Sequence, residues 1–406
     1  MGAEILRPTV RQGERALQST QFVGVVRLGT RTIQVLPKTY RSEDTGDRTA
    51  HIRDATRNLL YMLAYVGSLS VREQELVPLL QRDLDWFEIL THLFASHLAE
   101  EWKRGAHRTY QSNDDELPIL RGKWRVGEQL RRLERQHTLC VTYDEFTTDN
   151  PLNQVFRFVT ERLWHLTRDA GNRELLADLR QWMDDVALAP AMNVTAASPT
   201  LITRLNQRFA PLLNLARLFL DGSSLQMAAG DVANFSLMFD MNSLFEAFAV
   251  AFISRHRLDV LPDSLQTGDL LPQSRGVARW LARREDTQVF KLRPDLVVRS
   301  QGSCPLLLDA KYKQLNPRDV ALGVGQDDFY QMHAYAQCYD CSRIVMLYPQ
   351  TAEMTEALHA EFTFERGQTS VAIGTLDLRV DLGSRQECAK IAHYLKALLG
   401  REEPGG

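Results

Sequence analysis

Between Leu292 and Leu315 the sequence reads LRPDLVVRSQGSCPLLLDAKYKQL. Two acids and a lysine stand at the ends of short apolar runs. Asp295 precedes Leu296–Val298, Asp309 follows Leu306–Leu308, and Lys311 comes two residues after Asp309. A small polar turn containing Gly302 separates the runs, so they read as adjacent strands that bring both aspartates to one edge of a sheet. Two carboxylates side by side repel, and one takes up a proton unless a cation lies between them. A hard divalent cation with oxygen ligands fits, and Mg2+ is the usual one. Such an ion binds phosphate oxygens and lowers the pKa of bound water, which makes a nucleophile at neutral pH. On a strand Lys311 faces the same side as Asp309. An ammonium there can orient the attacking water or neutralise charge building up on the phosphate.

The elements that must position these residues are legible in outline. MNSLFEAFAVAFISRH (Met241–His256) reads as an apolar helix upstream of the strand pair. Downstream come a Gly-rich connection (Gly323, Gly325), a helix over Asp327–Asp340 and a strand over Ser342–Pro349. Helix, strands, helix and strand make an α/β module, and SRQECAKIAHYLKALLG (Ser384–Gly400) adds an amphipathic helix.

The earlier half has a different character. Gln21–Tyr40 reads as a hairpin turning at Gly29-Thr30 and ending at Pro37. Ala55–Gly67 reads as a helix with Leu59, Leu60, Leu63 and Val66 on one face and Gly67 as its stop. A helix is expected over Trp86–Gly105. Thr138–Leu166 reads as strand, loop and helix, with Asp149 or Asn150 as N-cap and Pro151 at the first helical position. Helix continues to about Leu220. Lys103–Arg135 is locally basic, with Arg121, Lys123, Arg125, Arg131, Arg132 and Arg135. Interleaved acids make a solvated helix face its plain reading, and a phosphate- or partner-contacting surface the sharper one. DGSSLQMAAGD breaks the pattern near Gly222–Asp231 and sets a boundary: residues 1–225 before it, residues 226–406 after it.

Composition narrows the classes. A chain of 406 residues has room for two or more domains, and 44% apolar residues is ordinary for a globular protein. A net charge of −3 argues against strong autonomous DNA binding but leaves local basic patches open. Five cysteines without framework spacing read as reduced, cytosolic thiols. The Cys338–Cys341 pair lacks the second pair or histidines that a metal site needs. His256 and His333 read as satisfied core or surface histidines. No signal peptide or membrane-length apolar run is expected.

Pro294-Asp295 and Asp309-Ala310-Lys311, with 13 residues between the aspartates, resemble the PD and (D/E)xK elements of the PD-(D/E)xK nuclease superfamily. That resemblance implies a C-terminal restriction-endonuclease-like α/β domain. It also implies a further metal-site acid at Glu246, inside the upstream helix. Gln331 and Tyr335, in YQMHAY, resemble the QxxxY pair of RecB-like branches, whose helix packs beside the active site. Asp295, Asp309 and Glu246 are thereby the expected metal ligands, with Lys311, Gln331 and Tyr335 completing the site; one ion is not distinguished from two.

The likeness narrows further. FVGVVRLGTRTIQVLPK, RNLLYMLAY, LRGKW, YDEFTTDNPLNQVF and NSLFEAF, followed by LRPDLVV, LLLDAKYK and YQMHAYA, together resemble the McrC family, the nuclease subunits of McrBC-type modification-dependent restriction systems. The resemblance covers about residues 20–350. It implies an N-terminal hairpin-plus-helical region that docks on a hexameric AAA+ GTPase, McrB, and stimulates its hydrolysis. McrB would recognise methylated cytosine in double-stranded DNA, and this chain would cut. It has no GxxxxGK[ST] pattern, so it is not the motor. The alternatives are an autonomous RecB-like nuclease and an activator that has lost its chemistry.

Overall fold

The computed structural model describes residues 6–11, 14–28, 31–37, 39, 48–69, 73–82, 84–131, 137–222, 235–351, 354, 356–365 and 369–400. The Gly29-Thr30 turn, Arg132, Arg135 and residues 223–231 of the expected boundary lie outside them. The chain forms two compact units. One gathers residues 1–26, 30–83 and 238–406, and the other residues 27–29 and 84–237. The linear division at 225/226 therefore approximates only the second crossing. The first eighty or so residues cluster with the C-terminal part.

The unit that holds the acids is built on a six-stranded mixed sheet. Its spatial order is His359–Thr363, Ser370–Leu376, Arg343–Pro349, Ser303–Ala310, Leu296–Ser300 and Asp269–Pro272. The three central strands, 370–376, 343–349 and 303–310, run parallel, and the flanking pairs are antiparallel. Every residue of Arg343–Pro349 and Ser370–Leu376 is buried, as expected of strands covered on both faces. The edge strand His359–Thr363 alternates between half-buried and exposed, with one face to solvent.

Alternation sorts the sheet residues into two layers. Val297, Leu307, Ile344, Met346, Val371 and Ile373 share a core with Met332, Tyr335 and Tyr339 of the helix Gln326–Tyr339. The opposite face carries the helix Arg385–Leu399. There Gly374 has no room for a side chain, because a Cβ would collide with Leu398 and the Tyr394 ring. Tyr394 cannot yield easily: its hydroxyl donates to the Leu358 carbonyl (2.8 Å) and accepts from the Thr375 amide (3.1 Å). Arg343, buried at the start of its strand, donates to Glu361 Oε1 (2.7 Å), to Ser370 Oγ (3.3 Å) and to the Leu398 carbonyl (2.8 Å). One guanidinium thereby ties a central strand to the edge strand and the last helix.

The helix over Met241–Arg255 lies where the sequence put it, whereas the helix expected over Ala55–Gly67 begins seven residues earlier, at Arg48. Arg48–Tyr65 ends before Gly67, whose φ is +76°. Met241–Arg255 is capped by Asp240, which accepts from the Asn242 amide at 2.9 Å. Among the described residues no helix is long and apolar enough to cross a membrane.

The second unit packs four helices, Trp86–Arg104, Pro151–Leu166, Ala170–Trp182 and Ala210–Gly222, beside a three-stranded sheet of Thr109–Leu117, Leu139–Thr147 and Lys123–Trp124. Asn150 caps its helix by accepting from the Asn153 amide, and Pro151 follows it. Glu88 is buried as a carboxylate. It accepts from Arg27 (2.9 Å), Thr167 Oγ1 (2.6 Å), the Arg168 amide (2.8 Å) and Asn172 Nδ2 (3.0 Å). Burial alone pushes its pKa up, but these donors together bring it below the usual range.

One expectation fails here. Over its described part, residues 117–131, the stretch Leu117–Gln136 is not a solvated helix face. It holds a two-residue strand and a four-residue helix, Val126–Gln129, and Gly122 turns the chain at φ +71°. Arg125 pairs with Asp114 and Glu128, so the interleaved acids serve a local turn and not helical i,i+4 pairs.

The crowding at Gly374 yields a test of the fold. Gly374→Ala should destabilise the protein by about 1–3 kcal/mol, the usual cost of overpacking a well-filled core. Equilibrium denaturation should show it as a lowered midpoint.

Candidate active site

Asp295 and Asp309 meet because their strands pair. Leu296 lies opposite Leu308 in antiparallel register, which sets Asp295 beside Asp309 at the same edge. Asp295 Oδ2 accepts from the Ala310 amide at 2.8 Å, locking the PD segment to the end of the neighbouring strand. Asp309 is 2% exposed. Lys311 extends the parallel ladder, its amide donating to the Leu347 carbonyl at 2.8 Å. Its ammonium returns to lie 2.6 Å from Asp309 Oδ2. That oxygen receives no well-directed hydrogen bond despite the short distance, so the contact is an ion pair.

The helix Gln326–Tyr339 supplies the other side of the lysine. Gln331 and Tyr335, four residues apart, share one helix face. Gln331 Oε1 accepts from Lys311 Nζ at 3.2 Å, and its Nε2 donates to Tyr335 Oη at 2.7 Å. Tyr335 is 1% exposed. Asp309, Lys311, Gln331 and Tyr335 form one connected chain of polar contacts.

Glu246 comes from the helix Met241–Arg255 and is half-buried. Its charge is felt at Asp295, and Asp309 and Lys311 are felt at Glu246. It therefore lies in the same electrostatic neighbourhood. Among the described residues no three His, Cys, Asp or Glu side chains converge closely enough to hold a metal ion together. The expected third ligand is a neighbour of the aspartate pair and not part of a closed cage. A cavity of about 460 Å3 opens beside the acids, with Glu246, Asp295, Arg275, Gln273 and Ser243 among its walls.

The electrostatics explain what such a site lacks. Burial raises the pKa of Asp295, and the Asp309 carboxylate raises it further. Burial raises Asp309 too, with Lys311 opposing. Glu246 is raised first by burial. For Lys311 burial works against the charged form, yet Asp309 and Asp295 outweigh it and the pKa rises. Three carboxyls that resist ionisation around one ammonium form a site short of positive charge. The buried Asp309 Oδ2, with no directed donor, suits a hard cation held with Asp295.

Two further residues escaped sequence reasoning. Lys313 Nζ lies 2.6 Å from Asp328 Oδ2, an acid in the first turn of the Gln331 helix. The doubled spacing of the KYK run, Lys311 and Lys313, was the available signal. The Tyr348 hydroxyl, buried without a hydrogen-bond partner, feels Asp328 and Asp309; a tyrosine in an apolar strand carries no sequence signal. Of the histidines, His256 hydrogen-bonds Tyr65 Oη at 3.0 Å, and His333 sits edge-on to Phe364. Cys341 donates to the Arg343 carbonyl at 2.9 Å.

A raised carboxyl pKa has a signed consequence. The folded chain holds a proton on Asp295 that the unfolded chain releases, so stability falls as pH rises from 3.8 to about 8. In chelator-treated protein, Asp295→Asn should flatten that fall, and thermal melts across this window should show the variant more stable than wild type at the alkaline end.

Comparisons with known proteins bear on this arrangement. The chain is similar to a refined half-complex from a tetradecameric assembly of Thermococcus gammatolerans McrB AAA+ hexamers with bound McrC, at 24% identity and a TM-score of 0.68, covering 96% of this chain and 84% of that one. It also matches the cryo-EM structure of the Thermococcus gammatolerans McrBC complex, at 27% identity and a TM-score of 0.48 over 60% of this chain and 68% of that one. Among curated proteins no relative matches it. The first likeness establishes a shared fold. The family model for the McrBC 5-methylcytosine restriction system component matches residues 17–349. That span is most of the chain and includes all six candidate site residues, and the chain belongs to the McrBC 5-methylcytosine restriction system component family.

Proposed function

We propose that the chain is the Mg2+-dependent endonuclease subunit of a McrBC-type restriction system, hydrolysing phosphodiester bonds in double-stranded DNA that carries modified cytosine. The observation that carries this reading is the convergence of Asp295, Asp309 and Lys311 with Gln331 and Tyr335 at one sheet edge, residues that stand in the sequence order of a PD-(D/E)xK motif. Asp295 and Asp309 would hold the ion, with Glu246 alongside. A bound Mg2+ supplies Lewis acidity and charge neutralisation at the phosphate. The residues do the rest. Gln331 fixes the Lys311 ammonium, Tyr335 fixes Gln331, and the ammonium is then placed to orient a water or stabilise charge on the phosphate oxygens.

The partner reading draws on different observations. A solved structure that shares this fold is of McrB AAA+ hexamers with bound McrC. The second unit here exposes Ile119, Leu120, Trp124, Val126 and Leu130, at 43–69%, within the basic stretch. Several large apolar side chains exposed along one short stretch suit a protein-binding surface. We assign to it the contact with a McrB-like AAA+ GTPase whose hydrolysis this chain stimulates. The GTPase would select modified DNA and present it, so that positioning supplies what the chain's own charge of −3 does not.

Three outcomes follow. Asp309→Asn should fold and bind its partner but cut at least a thousandfold more slowly, about 4 kcal/mol of lost transition-state stabilisation; plasmid cleavage with Mg2+ measures it, and a normal rate removes the active-site assignment. Gln331→Ala should lower the cleavage rate less, because it loosens Lys311 without deleting it, and should leave Mg2+ affinity unchanged by calorimetry. Leu120→Asp with Trp124→Ala should abolish stimulation of the partner's GTP hydrolysis and leave the isolated chain's melting temperature unchanged. Vigorous cutting of unmodified plasmid by the lone chain would instead favour an autonomous nuclease.

A further inference from the structure

Immediately before Asp295 the chain makes an arm that the nuclease reading does not use. Arg279–Arg284 and Thr287–Leu292 form an isolated two-stranded antiparallel hairpin. Its base is anchored at the site. Val277 and Leu292 are buried in the core that also holds Tyr335, Ser274 Oγ donates to the Leu292 carbonyl (3.3 Å), and the Gln273 amide donates to the Asp295 carbonyl (2.8 Å). Beyond this base the hairpin is largely exposed.

Two properties mark the arm as a binding element. First, Arg279, Arg283, Arg284 and Lys291 are all exposed, and none forms an ion pair with a described residue, whereas acids occur only at the turn, Glu285 and Asp286. Second, Phe290 is 72% exposed and Leu281 is 55% exposed, and both fall where the ladder skips a pair between Trp280–Lys291 and Ala282–Val289. Phe290 has φ +59°. A bulky side chain in that region is strained, and no burial within the chain compensates it. Strain held at an exposed aromatic is what a contact surface shows.

We infer that this hairpin is a DNA-binding arm: its cations engage the phosphates flanking the bond presented to Asp295 and Asp309, and Phe290 with Leu281 contacts the groove or base edges between them. The inference rests on the nuclease reading of the adjoining site. Charge complementarity selects the occupant. A duplex offers a regular row of phosphates to four exposed cations that exceed the arm's two acids, while a second copy of this arm in a two-fold interface would set like charges together. The overall charge of −3 is then no obstacle, because the positive charge is concentrated where the scissile strand must lie.

The test uses the full chain and a short fluorescent duplex in chelator, so that no cleavage occurs, with anisotropy followed across a salt series. Wild type should bind at low salt, with log affinity falling linearly against log salt. The fourfold variant Arg279→Ala, Arg283→Ala, Arg284→Ala, Lys291→Ala should lose at least about tenfold in affinity, with the slope reduced by about two to four. Phe290→Gly should lose about fivefold with the slope unchanged. Glycine suits φ +59° better than phenylalanine does, so this variant keeps the hairpin intact and decides the matter if the fourfold variant does not fold. Wild type that binds no duplex at low salt overturns the inference. So do variants that bind within about twofold of wild type with the same slope, and so does a loss of self-association with DNA binding unaltered. A chain that binds through the arm yet never cuts with Mg2+ and partner present removes the nuclease reading and leaves the arm standing.

Discussion

The site depends on one electrostatic constraint: two aspartates are held side by side where water cannot dissolve their charges. Strand pairing puts Asp295 against Asp309, and the surrounding core removes solvent from both. Neither can ionise freely, so each polar neighbour is arranged around that difficulty. The Ala310 amide donates to one, and the Lys311 ammonium sits on the other. Gln331 and Tyr335 then hold the ammonium in place. An apolar replacement would fold more comfortably here. The retained acids are a local conflict of the kind that functional sites carry and ordinary cores do not.

The sheet makes the conflict tolerable. Arg343–Pro349, buried throughout, separates the helix bearing Gln331 from the last helix and gives Lys311 its backbone partner at Leu347. The polar chain is thereby mounted at the ends of buried strands and on a helix, with Asp295 and Lys311 one residue beyond their strands. Both partners of Lys311 come from regular elements, so its position is set by strand register and helix phase. Such placement keeps a charged side chain within the narrow geometric limits that catalysis requires.

Asp295, Asp309 and Lys311 stood out in the sequence at the ends of two apolar runs, and Gln331 and Tyr335 through their likeness to a family motif; strand and helix periodicity is what brings them together in the fold. Two residues along a strand return to the same face, and four along a helix do likewise. The Asn150–Pro151 cap and the Gly67 stop were equally plain, since they are local chemistry. The first division of the chain was not, because assignment of residues 30–83 to the C-terminal unit is a long-range packing fact with no local signature. The described part of Leu117–Gln136, residues 117–131, departs from the helix expected there because alternating charges suit a helix face and a turn-rich strand region equally well. The Arg279–Leu292 hairpin stayed hidden for a related reason. It buries almost nothing, so the apolar alternation that reveals strands is missing from it.

The interleaving of the chain also orders its assembly in time. Asn58 exchanges hydrogen bonds with the Leu378 carbonyl and the Leu382 amide, 320 and 324 residues away. The early helix that carries it must therefore wait for almost the entire chain before it can dock. The unit made of residues 27–29 and 84–237 is nearly contiguous, and during vectorial synthesis it can condense while the rest is still being translated. The acids' own sheet is built from strands between residues 269 and 376, so its pairing waits for that later stretch to emerge. A ribosome-bound chain thus has a finished helical unit well before it has a finished cutting edge.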